Sequence, residues 1–338
     1  MNVAIVGAGN FGTAVASLVA RNGHAVDLWM RDEQQLAQIL EHRENRRYLK
    51  GHRLPDNIRP TTGIDVAGRA EVVFVTVPSA SFRDVTHELV SVVPAGTQVV
   101  SATKGIEEDG FRLMSQILEE LLPAAKVGAI SGPNLAEEMA DGRYTGTVVA
   151  SRHPTLRRSV QDVLTHATFR VYTSEDVYGV ELGGALKNIY AIIAGLATAL
   201  QVGQNTLAML ITRSLAEMSR FAVALGANPY TFLGLAGVGD LFVTCTSPLS
   251  RNFRLGTRLA TGLTLAQAMD DLGKLAEGVN TVRVVRGKSR ELGVYMPLVD
   301  ALYRLLYEQV ELGAVIHELM TSEQRVDVDF APPVEWKA

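Results

Sequence analysis

The chain has 338 residues, of which 47% are hydrophobic and 20% charged, and this length and composition predict a soluble globular protein of two domains. Its formal net charge of −4 argues against nucleic acid or anionic lipid as the main partner, because those surfaces require clustered cations. The single cysteine, Cys245, excludes an intramolecular disulfide framework and fits a reducing compartment.

The N-terminus predicts no targeting segment. A strand begins within three residues, and no charged leader with a cleavable apolar segment precedes it. The longest apolar stretch, residues 189–200, is too short to span a bilayer. We therefore expect a cytoplasmic protein without stable membrane insertion.

A glycine-rich turn at residues 7–12 follows the first predicted strand, residues 3–6. Its glycines, Gly7, Gly9 and Gly12, have the GxGxxG spacing of a dinucleotide-binding turn. The first allows a tight turn, the second lets the backbone approach a diphosphate, and the third lets the next helix pack closely. Free N–H groups at the start of that helix would then face the anion.

The context strengthens this weak motif. An apolar helix is predicted at 13–22, a C-cap glycine at Gly23 and a second strand at 24–30, which together form the required strand–turn–helix–strand unit. At the end of that strand, Arg31 would accommodate a 2′-phosphate, whereas Asp32 would accept hydrogen bonds from an unmodified ribose. We favour NADP over NAD, and a surface charge pair is the alternative for both residues.

Alternating strands and helices continue to about residue 173. A polar helix is predicted at 33–48 and a proline-containing loop at 54–64. Further strands are predicted at 72–77, 98–103, 127–131, 146–151 and 168–173, and helices at 109–122 and 154–166. This order predicts a doubly wound sheet, whose strand ends bring Ser79, Lys104 and Gly132 to Asn134 to one crevice.

After about residue 180 the pattern is helical. Helices are predicted at 180–200, 206–225, 265–271, 280–292 and 297–309. The fold class is therefore α/β, a Rossmann-type doubly wound sheet domain followed by an all-α domain. We expect a dinucleotide-binding domain at 1–180, a substrate-binding domain at 181–326, a loosely structured tail at 327–338, and a cleft between the domains.

Lys187 is the most informative residue of the helical half. Its neighbours on the predicted helix are almost all small or apolar, which is typical of a buried helix. Desolvation lowers the pKa of a buried ammonium towards the range of a general acid or base. A lysine that reaches the surface or pairs with a carboxylate is the alternative.

Two further clusters carry polar groups. Asp240, which follows Gly239, is placed for a cleft, with helix capping as its alternative. Ser250, Arg251 and Asn252, at a predicted helix start, suit a phosphate, and an exposed loop arginine is the alternative. The seven histidines and the one cysteine show no metal-ligand spacing, so we expect no metal site.

Several ordered blocks closely resemble NAD(P)-dependent glycerol-3-phosphate dehydrogenases of the soluble bacterial type, from residue 3 to about 320. They are the turn at 7–14 and the segments 102–105, 130–133, 182–188, 212–218, 237–241, 244–245, 250–252 and 277–279. The resemblance implies hydride transfer between the nicotinamide and C2 of dihydroxyacetone phosphate, giving sn-glycerol 3-phosphate for glycerophospholipid synthesis.

The resemblance also implies residue roles. Lys187 would exchange the proton at the C2 oxygen, with Lys104 and Asp240 completing the catalytic group. Substrate contacts would come from Lys104, Gly132, Asn134, Asn188, Thr244, Ser250, Arg251 and Asn252. Cofactor contacts would come from Gly7, Gly9, Asn10, Phe11, Gly12, Arg31, Lys104, Ala136, Arg251, Leu275 and Glu277.

One position departs from the family pattern. Asn134 stands where relatives usually carry threonine or serine, which puts a contact through that side chain in doubt. The alternatives are a related two-domain dehydrogenase for another ketone or hydroxy acid, such as a ketopantoate or 6-phosphogluconate type, and a non-catalytic nucleotide sensor. The apolar content of the helical half suggests a homodimer.

Overall fold

The computed structural model describes residues 1–273, 276–321 and 326–327. The chain divides into two compact units, Met1–Glu181 and Leu182–Ala338. The predicted cofactor residue Leu275 and residues 328–338 of the predicted tail lie outside the described residues. The predicted α/β fold class is confirmed, since an eight-stranded sheet with helices precedes a segment whose described elements are all helical.

The sheet of the first unit is mostly parallel. Its strands are β1 (Asn2–Val6), β2 (Ala25–Trp29), β3 (Ile58–Thr61), β4 (Val72–Val75), β5 (Gln98–Ser101), β8 (Lys126–Ser131), β9 (Thr145–Ala150) and β10 (Phe169–Ser174). The strand order is β10-β9-β8-β5-β4-β1-β2-β3, with β9 and β10 antiparallel to the rest. The carboxyl ends of the six parallel strands therefore share one edge, where open α/β sheets bind ligands.

Both faces of the central strands are buried. In β1, Val3 and Ile5 belong to one apolar core, whereas Ala4 and Val6 belong to the other. The same alternation recurs in β4, as its unbroken apolar sequence predicts. Since each fully buried aliphatic side chain stabilises the fold by roughly 1.5–3 kcal/mol, these strands fix the sheet that carries the glycine-rich turn.

Two local predictions are wrong. The predicted loop at 54–64 contains β3, which pairs with β2 at the sheet edge, the one place where Pro60 costs no ladder hydrogen bond. The predicted helix at 109–122 begins only at Met114. Its first residues form a hairpin of β6 (Ile106–Glu107) and β7 (Arg112–Leu113), because Asp-Gly at 109–110 favours a tight turn.

The helices of the first unit cover the two faces of the sheet. They are α1 (Asn10–Arg21), α2 (Glu33–His42), α3 (Phe82–Val90), α4 (Met114–Leu121), α5 (Ala136–Ala140) and α6 (Pro154–Leu164). The later helices are α7 (Val177–Ala199), α8 (Gln204–Ala224), α9 (Asp240–Thr246), α10 (Arg251–Leu259), α11 (Leu265–Leu272), α12 (Glu277–Glu291), α13 (Pro297–Tyr307) and α14 (Leu312–Thr321).

Helix α7 is long and apolar enough for a membrane span by length and composition alone. Within the structure, however, 83% of its most apolar window is buried against protein. This burial is typical of the core helix of a soluble domain, because apolar side chains covered by protein have no need of lipid.

Candidate active site

The turn after β1 requires glycine at two places. Gly7 has a φ of +123°, which side chains rarely allow, and its amide donates to the carbonyl of Trp29. A Cβ on Gly12 would lie 1.9 Å from the Gly7 carbonyl oxygen. The close approach therefore fixes α1 directly behind the turn, as the dinucleotide motif predicts.

The turn fits a dinucleotide diphosphate. A Cβ added to Gly9 would meet no described atom within 4 Å, so this backbone faces open space. Within the described chain, α1 has no side-chain cap and no acidic residue in its first turn. The positive end of a 12-residue helix is thus available to an anion.

The other predicted cofactor residues of the first unit have protein contacts of their own. Asn10 donates to Glu137 at 3.0 Å, which brings the start of α1 next to Ala136. Phe11 packs against one apolar core of the sheet. Arg31 is exposed and pairs with Glu88 at 2.8 Å.

Asp32 is already engaged as a helix cap. Its carboxylate accepts the amides of Gln34 and Gln35 at 2.8 and 3.2 Å, and Arg47 donates to it. These donors hold the pKa of Asp32 below its ordinary value, the Gln35 amide most strongly. The N-cap role explains an acid at this position without any ligand.

Lys104 follows β5 and reaches the end of the neighbouring strand. Its ammonium donates to the carbonyl of Gly132 at 3.1 Å. Asn134 donates through Nδ2 to the carbonyl of Gly146 at 2.9 Å, which ties the loop after β8 to β9. The structure thus brings Lys104 and Gly132 together, whereas the donor group of Asn134 serves the backbone.

Lys187 is buried in α7 and is paired. Its ammonium donates to Oδ1 of Asp240 and, at 2.8 Å, to Oγ1 of Thr244. All three side chains are nearly or wholly buried. A buried ion pair is retained only where its hydrogen bonds are satisfied, and such pairs are common at functional sites.

Close helix packing places the two partners opposite each other. A Cβ on Gly183 of α7 would lie 2.3 Å from the carbonyl oxygen of Ala236, in the π-helical turn Leu235–Gly239. That turn leads directly into Asp240, the first residue of α9. Gly183, one turn before Lys187, therefore lets another backbone approach α7 closely.

The next residue, Asn188, belongs to a second buried cluster. Asn252 donates to Oδ1 of Asn188 at 2.9 Å and accepts the amide of Gly278 at 3.0 Å. Helix α10 begins where a helix start is predicted, with Ser250 as its cap and Arg251 as its exposed first residue. The predicted cofactor residue Glu277 is the first residue of α12, one position before Gly278.

The described residues offer no group of three or more His, Cys, Asp or Glu side chains that could hold a metal ion. Cys245, on α9, is buried, and this burial raises the pKa of its thiol to about 12. A thiol with that pKa is protonated at neutral pH and is not a nucleophile.

Comparisons with known proteins cover nearly the whole chain. Residues 2–157 match the N-terminal model and residues 176–317 the C-terminal model of NAD-dependent glycerol-3-phosphate dehydrogenase. The chain is 56% identical to "Glycerol-3-phosphate dehydrogenase [NAD(P)+]" of Azotobacter vinelandii, over 97% of this chain and 96% of that protein. It is 55% identical, with the same coverage, to the protein of that name from Pseudomonas entomophila.

The chain belongs to the NAD-dependent glycerol-3-phosphate dehydrogenase family. A solved glycerol-3-phosphate dehydrogenase of Coxiella burnetii matches with a TM-score of 0.91 and 33% identity, covering 95% of this chain and 99% of that one. The predicted resemblance is therefore confirmed, and the alternative two-domain dehydrogenases and the nucleotide sensor are not favoured. Family membership supports NAD or NADP as the cofactor and does not decide between them.

Sequence reasoning missed two buried acids. Glu181 accepts the amide of Ser115 at 3.0 Å and its hydroxyl, while Glu217 lies among α7, α8 and α13. Glu181 stands between Val180 and Leu182 in the sequence, and Glu217 stands between Ala216 and Met218. Apolar residues on both sides of a lone acid indicate a buried helix segment.

Burial raises the pKa of Glu181 to about 7, against the hydrogen bonds from Ser115, and nearby Glu119 adds to the rise. The folded protein therefore holds a proton on Glu181 between about pH 4.5 and 7, where the unfolded chain has lost it. The free energy of unfolding should fall as pH rises through this window, by on the order of 3 kcal/mol for this group.

Urea unfolding of the whole chain at pH 5, 6, 7 and 8 measures this slope. We expect Glu181→Gln to reduce this slope, because glutamine carries no titrating proton, while Glu217, whose pKa burial raises to about 8, still contributes to it. Glu119→Gln is the control, since that side chain is not buried, and should retain most of the slope. An unchanged slope in Glu181→Gln would contradict the assignment.

Proposed function

We propose that this chain catalyses the reversible NADPH- or NADH-dependent reduction of dihydroxyacetone phosphate to sn-glycerol 3-phosphate, which supplies glycerophospholipid synthesis. The observation that carries the proposal is the buried Lys187, held by Asp240 and Thr244 in a member of this family. Asn188 hydrogen-bonds Asn252, the residue after Arg251, so the proton donor and a candidate phosphate ligand share one neighbourhood.

Lys187 is assigned to the proton at the C2 oxygen. Hydride, which the bound nicotinamide supplies, adds to a carbonyl only as negative charge grows on the oxygen. An ammonium fixed by two hydrogen bonds stabilises that charge and then transfers a proton. Asp240 holds the ammonium in place, and Lys104, near the carbonyl of Gly132, is assigned to substrate binding and polarisation.

Arg251 is assigned as the principal phosphate ligand. The Asn252 amide is engaged on both sides by protein, and the Ser250 hydroxyl accepts the Phe253 amide as the cap of α10. Arg251 is the exposed member of the three and adds its charge to the positive end of a nine-residue helix. Ser250 and Asn252 then hold the start of α10, which presents Arg251 to the phosphate.

The assay follows NADPH absorbance with dihydroxyacetone phosphate, dihydroxyacetone and ketopantoate. We expect rapid oxidation with the first, and at least a hundredfold lower kcat/KM without the phosphate, since a charged hydrogen-bonded phosphate contributes several kcal/mol. Arg251→Ala should remove most of that preference, read as the ratio of kcat/KM for the two ketones, because Arg251 is also an expected cofactor contact and the absolute rates with both ketones can fall. Cofactor binding without turnover would instead indicate a nucleotide sensor.

The cofactor preference is proposed from Arg31 and Asp32. Because the Asp32 carboxylate caps α2 and pairs with Arg47, we assign the 2′-phosphate of NADPH to Arg31. Arg31→Ala should raise the KM for NADPH about tenfold and leave that for NADH within twofold, as one charge-assisted contact predicts. Arg69→Ala, which removes a similarly exposed ion pair with Asp65, is the control. Equal effects on both cofactors would contradict the assignment.

A homodimer in the cytoplasm is also proposed. No residue of α8 from 204 to 213 is fully buried, although this half-helix carries Leu207, Met209, Leu210 and Ile211. Exposed apolar surface of this kind is typical of a protein contact. Sedimentation equilibrium should give the mass of two chains, and Met209→Glu should give the mass of one.

A further inference from the structure

A buried hydrogen-bond network on α7 lies one turn beyond Lys187. Tyr190, three residues further along the helix, is on the same helix face and is fully buried. Its hydroxyl donates to Oε2 of Glu217 on α8 at 3.3 Å. The helix that carries the proton donor is thus tied to a neighbouring helix through one polar contact.

Glu217 holds a third helix at the same point. Its two carboxylate oxygens accept the amides of Leu298 at 2.7 Å and Val299 at 3.4 Å, in the first turn of α13. Met296, the N-cap residue of α13, makes no side-chain cap hydrogen bond among the described residues. Glu217 therefore caps α13 from outside that helix, since carboxyl oxygens accept amide hydrogens.

The two clusters share α7. Lys187 and Tyr190 lie one turn apart on that helix, and their partners Asp240 and Glu217 also belong to the helical unit. Cys245, the residue after Thr244 on α9, is buried in the same unit.

Burial disfavours the charged form of the Glu217 side chain. Burial raises its pKa to about 8, while the amides of Leu298 and Val299, Arg220 and Tyr190 oppose the rise. A buried carboxyl that costs this much is expected to be kept for a purpose beyond packing, because an apolar residue would serve packing better.

We propose that Glu217 is a positioning residue for the proton donor: through Tyr190 it fixes the rotation of α7, and so holds the Lys187 ammonium on Asp240 and Thr244. The proposal rests on the proposed function. Proton transfer tolerates little error in geometry, since a displacement of about 1 Å costs up to about a hundredfold in rate. Neither Glu217 nor Tyr190 needs to touch the substrate for this role.

Tyr190→Phe is the sharpest test, because it removes the hydroxyl alone and leaves the cap of α13 intact. We expect kcat with dihydroxyacetone phosphate to fall about tenfold with KM within twofold, as for loss of orientation without loss of binding. Ser219→Ala is the matched control. That hydroxyl is fully buried on the same helix as Glu217, has no hydrogen-bond partner in the described part of the chain, and should be dispensable for kcat.

Glu217→Gln completes a double-mutant cycle. If Glu217 acts through Tyr190, the fold-reduction in kcat of the double variant should be at most about twice that of the worse single variant. It should not equal the product of the two single fold-reductions. Full multiplication of the two losses would show that the residues act independently, which would overturn the proposal.

An NMR measurement separates this proposal from the proposed function. The Lys187 ammonium, protected by two hydrogen bonds, should give an observable ¹⁵N–¹H signal at low temperature, identified by its absence in Lys187→Met. The signal should persist in Ser219→Ala and broaden in Tyr190→Phe, whatever the substrate. An unchanged signal and a kcat within twofold of the parent in Tyr190→Phe would refute the positioning role. No turnover by the parent chain would refute the proposed function alone.

Discussion

Replacing Lys187 with alanine is expected to lower kcat for dihydroxyacetone phosphate reduction by roughly 10²- to 10⁴-fold, the usual contribution of a general acid. The ammonium is the cation that Asp240 and Thr244 hold inside the helical unit, and alanine leaves no proton to transfer. The KM for the cofactor should change little, because the glycine-rich turn belongs to the other unit.

A rescue experiment controls for misfolding in this variant. Alanine retains Cβ and leaves a cavity of about three methylene groups and an amine. Methylammonium or ethylammonium should therefore restore part of the lost kcat in proportion to its concentration. A circular dichroism spectrum like that of the parent confirms that the helical unit is folded. Near-normal turnover in a folded Lys187→Ala protein would make Lys187 a structural residue.

Replacing Asp240 with alanine is expected to cost about 3–5 kcal/mol of stability, the usual loss when one partner of a buried ion pair is removed. Asp240 is fully buried, and its carboxylate accepts the Lys187 ammonium. The variant would keep the buried Lys187 ammonium without the carboxylate that balances its charge. Urea unfolding at constant pH, followed by circular dichroism, measures the change.

Two further variants show whether the unpaired charge of Lys187 causes the loss of stability in Asp240→Ala. Asp271→Ala removes an exposed pair with Arg258 and should cost less than about 1 kcal/mol. The double variant Lys187→Met with Asp240→Leu removes both charges and should recover much of the lost stability, though not the activity. If the double variant loses as much as the sum of its singles, the two side chains are not coupled.

The sheet could be predicted from the sequence because its central strands are apolar on both faces. The apolar run at 72–75 predicts a strand buried on both faces, and the turn at 7–12 is predictable from its glycine spacing together with the strand and helix on either side of it. Strand β3 was missed because Pro60 indicates a loop, and only its position at the sheet edge makes a strand possible there. The antiparallel direction of β9 has no local signal, since strand direction depends on the path of the connecting chain.

The candidate site was predictable in its residue types and less so in its contacts. The sequence indicates Lys187 and Asp240 separately, whereas their hydrogen bond across 53 residues depends on how closely α7 approaches the turn before α9. For Asp32 the sequence suggests a role that the structure does not require. Its place at a strand end suggests a ribose ligand, whereas its carboxylate caps α2. Glu217 was overlooked because one acid in a helix predicts an exposed side chain.

The most direct test of the central claim is the pre-steady-state rate of NADPH oxidation by Lys187→Ala with saturating dihydroxyacetone phosphate, measured with and without ethylammonium. The account predicts a rate at least a hundredfold below that of the parent chain, with partial recovery as the amine is added. A rate equal to that of the parent, in a folded variant, would contradict the claim that Lys187 supplies the proton.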